Sequence, residues 1–348
     1  MLRLPQFELR EPESLASALA LLEEHGDAAQ LIAGGTDLVP NMKHELFTPR
    51  VVVSLARIPD LAGVREEDGA LVLGAMTTLD ALARDGRVRE RAPALAQAAS
   101  IIAGPQLRRM GTLGGNVMLD TRCQWYNQTY FWRSALGFCL KKDGTLCHVV
   151  EGGAHCVAAA SNDTAPALMT LGASLVFLGR AGRRTVAVDD LYLSDGIYNK
   201  AVKGEILVEI RIPRVPDGHR GAYGKLRDRG SIDFPLLGIA ARLDAGPDGR
   251  VAAADLCAVA LQARPVRLRR AADAMLGARL PDRERGDDDP AAAEFTEAAK
   301  RAAELARKQC HPLPNIPGDA DYRREMIPVY VRRTLEAAAR GSGPVHHV

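Results

Sequence analysis

The sequence predicts an α+β protein of two domains, with a cysteine-rich insertion in the first. Three observations predict it. Up to residue 177 short apolar strands alternate with amphipathic helices. Beyond 178–200 the pattern changes to long strands joined by Gly, Pro and Asp turns, with helices after them. Four of the six cysteines, Cys123, Cys139, Cys147 and Cys156, crowd between two pieces that read well when joined directly, T-L-G-G-N-V-M at 112–118 and S-N-D-T-A-P-A-L-M-T-L-G-A at 161–173. These observations divide the chain into a first domain at 1–177 (subdomains about 1–55 and 56–177), an insertion at 121–157 within it, and a C-terminal domain with an antiparallel sheet at 178–348.

The totals narrow the classes. A chain of 348 residues with 47% hydrophobic and 25% charged residues can build two or three ordinary cores. A formal net charge of +2 is too near neutral to suggest nucleic-acid binding. No run of eighteen apolar residues exists, so no membrane span is expected. The opening MLRLPQFELREPESL has no signal-peptide core, so a cytoplasmic protein is expected. In a reducing compartment clustered cysteines point to metal ligands or redox groups rather than disulfides.

Ser14–Glu23 puts Leu15, Ala18, Leu19 and Leu22 on one face of a helix. A-A-Q-L-I-A-G-G-T-D-L is a buried strand running into a turn at Gly34-Gly35, and Val51–Val53 is a second strand. Leu71–Gly74 is a strand, after which Thr77 or Thr78 caps the helix L-D-A-L-A-R-D. Pro93–Ala103 is a helix ended by Gly104-Pro105. A helix follows the insertion, then a hairpin of Ser174–Gly179 and Thr185–Val188 around A-G-R-R. The long strands lie in E-I-L-V-E-I-R-I-P, G-A-Y-G-K-L-R-D-R, P-L-L-G-I-A-A-R-L-D-A and R-V-A-A-A-D-L-C-A-V-A-L. Helices are expected near 268–278, 291–309 and 321–340, with a solvated loop R-E-R-G-D-D-D-P, a kink at Pro328 and a frayed tail after Gly341.

Two double-glycine turns, I-A-G-G-T-D-L and T-L-G-G-N-V, carry the first functional signal. A pyrophosphate needs backbone amides pointed at it and no Cβ in the way, and glycine supplies both. Each turn adds a hydroxyl (Thr36, Thr112) and a polar side chain (Asp37, Asn116). Neither is G-x-G-x-x-G and no acidic ribose partner follows, so a dinucleotide-binding Rossmann motif is excluded. Gly-Gly is also a plain turn signal, and the spacing alone does not choose a ligand.

In this order, I-A-G-G-T-D-L-V-P-N-M-K, Q-L-R-R-M-G-T-L-G-G-N and S-N-D-T-A-P-A-L-M-T-L-G-A resemble the FAD-binding medium subunit of the molybdenum hydroxylase (xanthine dehydrogenase) family. A-Y-G-K-L-R-D-R-G-S-I-D-F-P-L-L-G-I-A resembles that subunit's C-terminal domain. The resemblance runs from about residue 5 to 340 and implies a two-subdomain, PCMH-like FAD-binding fold. The cysteine insertion resembles the β subunit of 4-hydroxybenzoyl-CoA reductase. By resemblance, Ala33, Gly34, Gly35, Thr36 and Asp37 with Thr112, Gly114, Gly115 and Asn116 hold the pyrophosphate and ribityl chain, and Thr77 joins the same set. Asp163 touches the cofactor and Lys225 lies near the isoalloxazine, where an ammonium stabilises the anionic reduced flavin. Taken alone, Lys225 reads as a surface strand lysine and Asp163 as a helix-start residue.

The cysteine spacing, C-x15-C-x7-C-x8-C, matches no standard template. Four thiolates suit a [4Fe-4S] cluster or zinc, and unrelated thiols stay open. The resemblance puts iron–sulfur first, with Cys123, Cys139, Cys147 and Cys156 as ligands. His148 and His155 are read as supporting or exposed. Trp125, Tyr126, Tyr130, Phe131 and Trp132 are the densest aromatic run in a chain only 5% aromatic, and would screen a cluster or form a local core. Cys257 reads as a buried small hydrophobe, and Cys310 has no clear partner.

No catalytic constellation is evident: there is no Ser-His-Asp grouping and no G-x-S-x-G. The resemblance therefore implies an electron-transfer subunit. Its partners would be a molybdopterin-binding large subunit, a small subunit with two [2Fe-2S] clusters, and ferredoxin as donor, in a dimer of heterotrimers acting on 4-hydroxybenzoyl-CoA. The competing readings are the FAD subunit of another molybdenum hydroxylase and a non-redox binding protein with a zinc-stabilised loop.

Overall fold

The computed structural model describes residues 2–197, 200, 202, 204–283 and 289–346, and it is α+β as expected. In the N-terminal layer β1 (Glu8–Arg10), β2 (Ala29–Ile32) and β3 (Val51–Ser54) form a parallel sheet in the order β1-β3-β2. Helix α1 (Leu15–His25) starts at Ser14, whose hydroxyl accepts from the Ser17 amide. Its apolar face puts Ala18, Leu15, Leu19 and Leu22 against Val51 and Val53. A short helix, α2 (Leu38–Lys43), follows the first double-glycine turn.

The second layer is an antiparallel sheet, β4-β5-β8-β6-β7, built from β4 (Val64–Glu67), β5 (Ala70–Gly74), β6 (Ser174–Gly179), β7 (Gly182–Ala187) and β8 (Ile206–Ile212). Its core is closed by α3 (Leu79–Arg84), α4 (Gly86–Arg91), α5 (Pro93–Ile101), α7 (Leu113–Val117) and, beyond α8 (Tyr130–Leu136) of the insertion, α9 (Thr164–Thr170) and α10 (Val188–Leu191), while α6 (Pro105–Met110) buries none of its residues. Thr78, not Thr77, caps α3. Gly104-Pro105 does end α5, but Pro105 also opens α6, because a first-turn proline needs no amide partner. The β6–β7 turn is tighter than A-G-R-R implied. Gly179 pairs with Gly182, which takes φ +101°, so Arg183 and Arg184 already lie in the strand.

The third layer is the sheet β12-β11-β10-β9-β13, from β9 (Arg220–Leu226), β10 (Leu237–Ala245), β11 (Val251–Val259), β12 (Val266–Arg267) and β13 (Val345–His346). Strand alternation sends successive residues to opposite faces. Ala222 and Leu226 join the core under α12 (Pro290–Gln309) and α13 (Ala320–Arg340), whereas Tyr223, Ala240 and Cys257 join the core shared with α5 and α9. Two expectations need correction. Helix α11 (Arg269–Asp273) stops early, with Gly277 at φ +77°. The tail is not all frayed: β13 pairs in parallel with Gly224 and Lys225, using the hydrogen-bonding edge of β9. Helix α13 continues through Pro328. Most of the loop R-E-R-G-D-D-D-P lies outside the described residues. Among the described residues no helix is long and apolar enough to cross a membrane.

Candidate cofactor and cysteine sites

The two double-glycine turns, far apart in sequence, meet backbone to backbone. A Cβ on Gly34 would stand 1.7 Å from the carbonyl oxygen of Met110, so only glycine permits the contact. Gly35 takes φ +70°. Gly114 is packed against Ala75, with its amide on the Ala75 carbonyl at 2.8 Å.

The turns differ in what they leave over. In the second, Leu113, Gly114, Gly115 and Asn116 donate their amides to Thr77 O, Ala75 O, Thr112 Oγ1 and Thr112 O. In the first, the amides of Gly34, Gly35, Thr36 and Asp37 have no acceptor among the described residues, although the turn is half-buried. A half-buried run of unpaired amides suits an anionic oxygen cluster and is costly without one. The flavin pyrophosphate fits this feature. The second turn offers a side chain instead: Asn116 Oδ1 accepts from Thr164 N at 3.1 Å and Thr164 Oγ1 at 2.6 Å, leaving its Nδ2 unengaged. The Asp37 carboxylate binds Arg122 (3.0 Å) and Asn41 (2.9 Å), and burial pushes its pKa up despite the guanidinium. The Thr77 hydroxyl is committed to the backbone of Gly63 in both directions.

Behind the second turn lies a buried polar cluster. Asp163 precedes α9 but makes no cap with its side chain. Its Oδ1 accepts from Tyr223 Oη at 2.8 Å and its Oδ2 from Lys225 Nζ at 3.0 Å. Lys225 is 0% exposed, so it is not a surface lysine, and burial pulls its pKa down against the pull of Asp163. Its ammonium is paired with the Asp163 carboxylate. Tyr223 is a residue the structure adds to this cluster. Strand period offers a signal for it, because residues two apart share a face.

The insertion closes on itself. Cys123, Cys139, Cys147 and Cys156 all wall one small cavity of about 20 Å³, together with Trp125, Tyr126, Lys141 and His148. All four are free thiols, three of them buried. Among the described residues no three metal-ligating side chains converge as a single ion requires. The four thiols line one space and form an all-sulfur donor set. Burial pushes the Cys123 thiol up to about 11 and also raises Cys156, so ligation there would release protons.

Trp125 stacks between Trp132 (6.0 Å) and His148 (5.5 Å), and His148 Nε2 lies 2.6 Å from the Phe138 carbonyl. His155 stands outside, paired with Asp195. Arg133, 1% exposed, reaches Asp143 and the carbonyls of His44 and Glu45, tying α8 to the chain after α2. No local sequence pattern marks this arginine as buried. Cys257 is fully buried beside Met169, and Cys310 is buried at the end of α12.

Residues 5–215 match the family described as FAD binding domain in molybdopterin dehydrogenase, and 221–338 match the CO dehydrogenase flavoprotein C-terminal domain. The chain is 32% identical over 340 residues to the carbon monoxide dehydrogenase medium chain of Hydrogenophaga pseudoflava, covering 96% of this chain and 97% of that one. It is 30% identical over 237 residues to the xanthine dehydrogenase FAD-binding subunit of Escherichia coli O157:H7, covering 67% and 68%. Among solved structures it superposes on the Cu,Mo-CO dehydrogenase in its cyanide-inactivated form with TM-score 0.76, 30% identity, and coverage of 97% and 99%. On quinoline 2-oxidoreductase from Pseudomonas putida 86 the TM-score is 0.73 at 25% identity, covering 98% and 99%.

Proposed function

The chain belongs to the FAD-binding medium subunits of the molybdenum hydroxylase family, and from that premise we propose that it is an electron-transfer subunit whose cysteine insertion holds a [4Fe-4S] cluster beside the flavin site. The observation that carries the proposal is the single cavity walled by all four cysteines of the insertion. A bound flavin supplies the exchange between one-electron and two-electron carriers.

The chain's own residues prepare that site. The free amides of Gly34, Gly35, Thr36 and Asp37, with the backbone of Ala33, receive the pyrophosphate, and Asn116 Nδ2 reaches the chain of the cofactor. Thr112, Gly114 and Gly115 shape the second turn, and Thr77 anchors it through Gly63. Asp163 faces the cofactor, held by Tyr223 and Lys225. The partners of this reading are a molybdopterin-binding large subunit and a small iron–sulfur subunit in a dimer of heterotrimers.

The finer form of the proposal is the 4-hydroxybenzoyl-CoA reductase type, with the chain taking electrons from ferredoxin for reductive dehydroxylation. It rests on the insertion alone. The relatives above are dehydrogenases and an oxidoreductase of other substrates, and they favour the second reading, the FAD subunit of a different molybdenum hydroxylase.

Iron, sulfide, zinc and FAD content of the complex purified without oxygen tests the cofactor proposal. Four irons and four sulfides per chain beyond the small subunit's clusters are expected. FAD with zinc or with no extra iron defeats the cluster assignment and keeps the flavoprotein. For the finer form, Cys139→Ser is expected to retain FAD and block its reduction by ferredoxin. Unchanged reduction in a cluster-free variant removes the entry role.

A further inference from the structure

We infer that Gly196 and Lys141 are positioning residues of the four-cysteine site, and that they fix Cys156 to a strap, Tyr192–Ile197, whose other end is tied beside the flavin site. The inference rests on the cluster reading above.

At Gly196 a Cβ would stand 2.5 Å from Cys156 Sγ and 3.0 Å from the Cys156 carbonyl oxygen, so the thiol lies directly on the glycine. The Gly196 amide donates to that carbonyl at 2.8 Å. The Gly196 carbonyl in turn accepts from Lys141 Nζ at 2.8 Å and Thr121 Oγ1 at 2.6 Å. Lys141 lines the cysteine cavity two residues after Cys139, and its side chain is 6% exposed. The ammonium also meets Asp120 Oδ1 at 2.8 Å and both oxygens of Thr121, and it lies 4.6 Å from the centre of the Tyr126 ring. One buried cation thus joins the cavity wall to the strap.

At the other end Tyr192 Oη donates to Val117 O at 2.9 Å and accepts from Asn162 Nδ2 at 2.8 Å. Val117 follows Asn116 and Asn162 precedes Asp163, so the strap is tied to the neighbours of both flavin-site side chains. Thiolate ligation demands that each sulfur keep its place, and a fixed positive charge near the sulfurs favours the reduced form of whatever they hold.

The test uses the complete complex as wild type, Gly196→Ala, Lys141→Met and Lys141→Arg. Iron and FAD per medium subunit are measured, and the midpoint potential of the extra cluster is followed by EPR-monitored titration. Gly196→Ala is expected to keep FAD and to hold less than half of the wild-type extra iron. Lys141→Met is expected to move the midpoint to more negative values, and Lys141→Arg to restore it. Full iron in Gly196→Ala, or an unmoved midpoint in Lys141→Met, overturns the inference. If Gly196→Ala loses FAD as well through misfolding, the Lys141 pair decides alone. A wild type without extra iron overturns the cluster reading and this inference with it, which separates that failure from a defect confined to the variants.

Discussion

Replacing Lys225 by methionine removes the cation paired with a carboxylate that is itself 3% exposed. Asp163 would keep one donor, the Tyr223 hydroxyl at 2.8 Å. Methionine approximates the lysine stem, so lost packing is small and the uncompensated charge dominates. Breaking a buried pair from one side costs about 3–5 kcal/mol, most of it the penalty of the stranded ion. Removing both charges in Lys225→Met with Asp163→Leu removes that penalty, so the double variant should be more stable than Lys225→Met and recover roughly 2 kcal/mol or more. Urea unfolding followed by far-UV circular dichroism reads the sheet that carries Lys225. Tryptophan emission would not, because both tryptophans, Trp125 and Trp132, lie in the insertion. A Lys225→Met loss below about 1 kcal/mol, or a double variant whose loss equals the sum of the singles, refutes the pair as the organiser of this cluster.

Gly34→Ala should force the two turns apart, at about 1–3 kcal/mol or more from overpacking, with FAD retention falling. Gly86→Ala, with open space and ordinary helical φ, should be neutral or slightly stabilising; equal FAD content in both variants refutes the close-contact argument. His219 is buried near Arg242 and Arg283 and its pKa is lowered to about 4, mainly by burial. The unfolded chain therefore binds the proton first, so stability is lost as pH falls from about 6.5 towards 4, by up to about 3 kcal/mol. His219→Gln should flatten that limb of the stability profile, and an unchanged limb refutes the assignment. Arg133→Met strips donors from the carbonyls of His44 and Glu45. Limited proteolysis should then cut faster within residues 123–156, with a shift in tryptophan emission; identical cleavage and emission refute its role as the tie of the insertion.

The sequence by itself determined the local features whose causes are local. The spacing of Leu15, Ala18, Leu19 and Leu22 gave the buried face of α1, and the alternation in G-A-Y-G-K-L gave β9. The ordered motifs identified the family, because few folds need two such turns and that helix in that order. The crowding of four cysteines marked the insertion, and the buried, free state of Cys257 followed from its apolar strand. The tertiary structure decided everything that depends on two distant segments sharing one space. It showed that Gly34 is required by the carbonyl of Met110 and not only by a ligand. It showed that the amides of the second turn are consumed internally while those of the first have no acceptor among the described residues. No local pattern could reveal that Lys225 is buried on Asp163, since the two residues lie 62 positions apart and meet only in the folded chain. Likewise, no local pattern around Arg133 or Lys141 shows that the chain closes over them. Hydrogen-bond satisfaction and desolvation are properties of the packed chain, so spacing announces candidate residues and only packing assigns what each one holds.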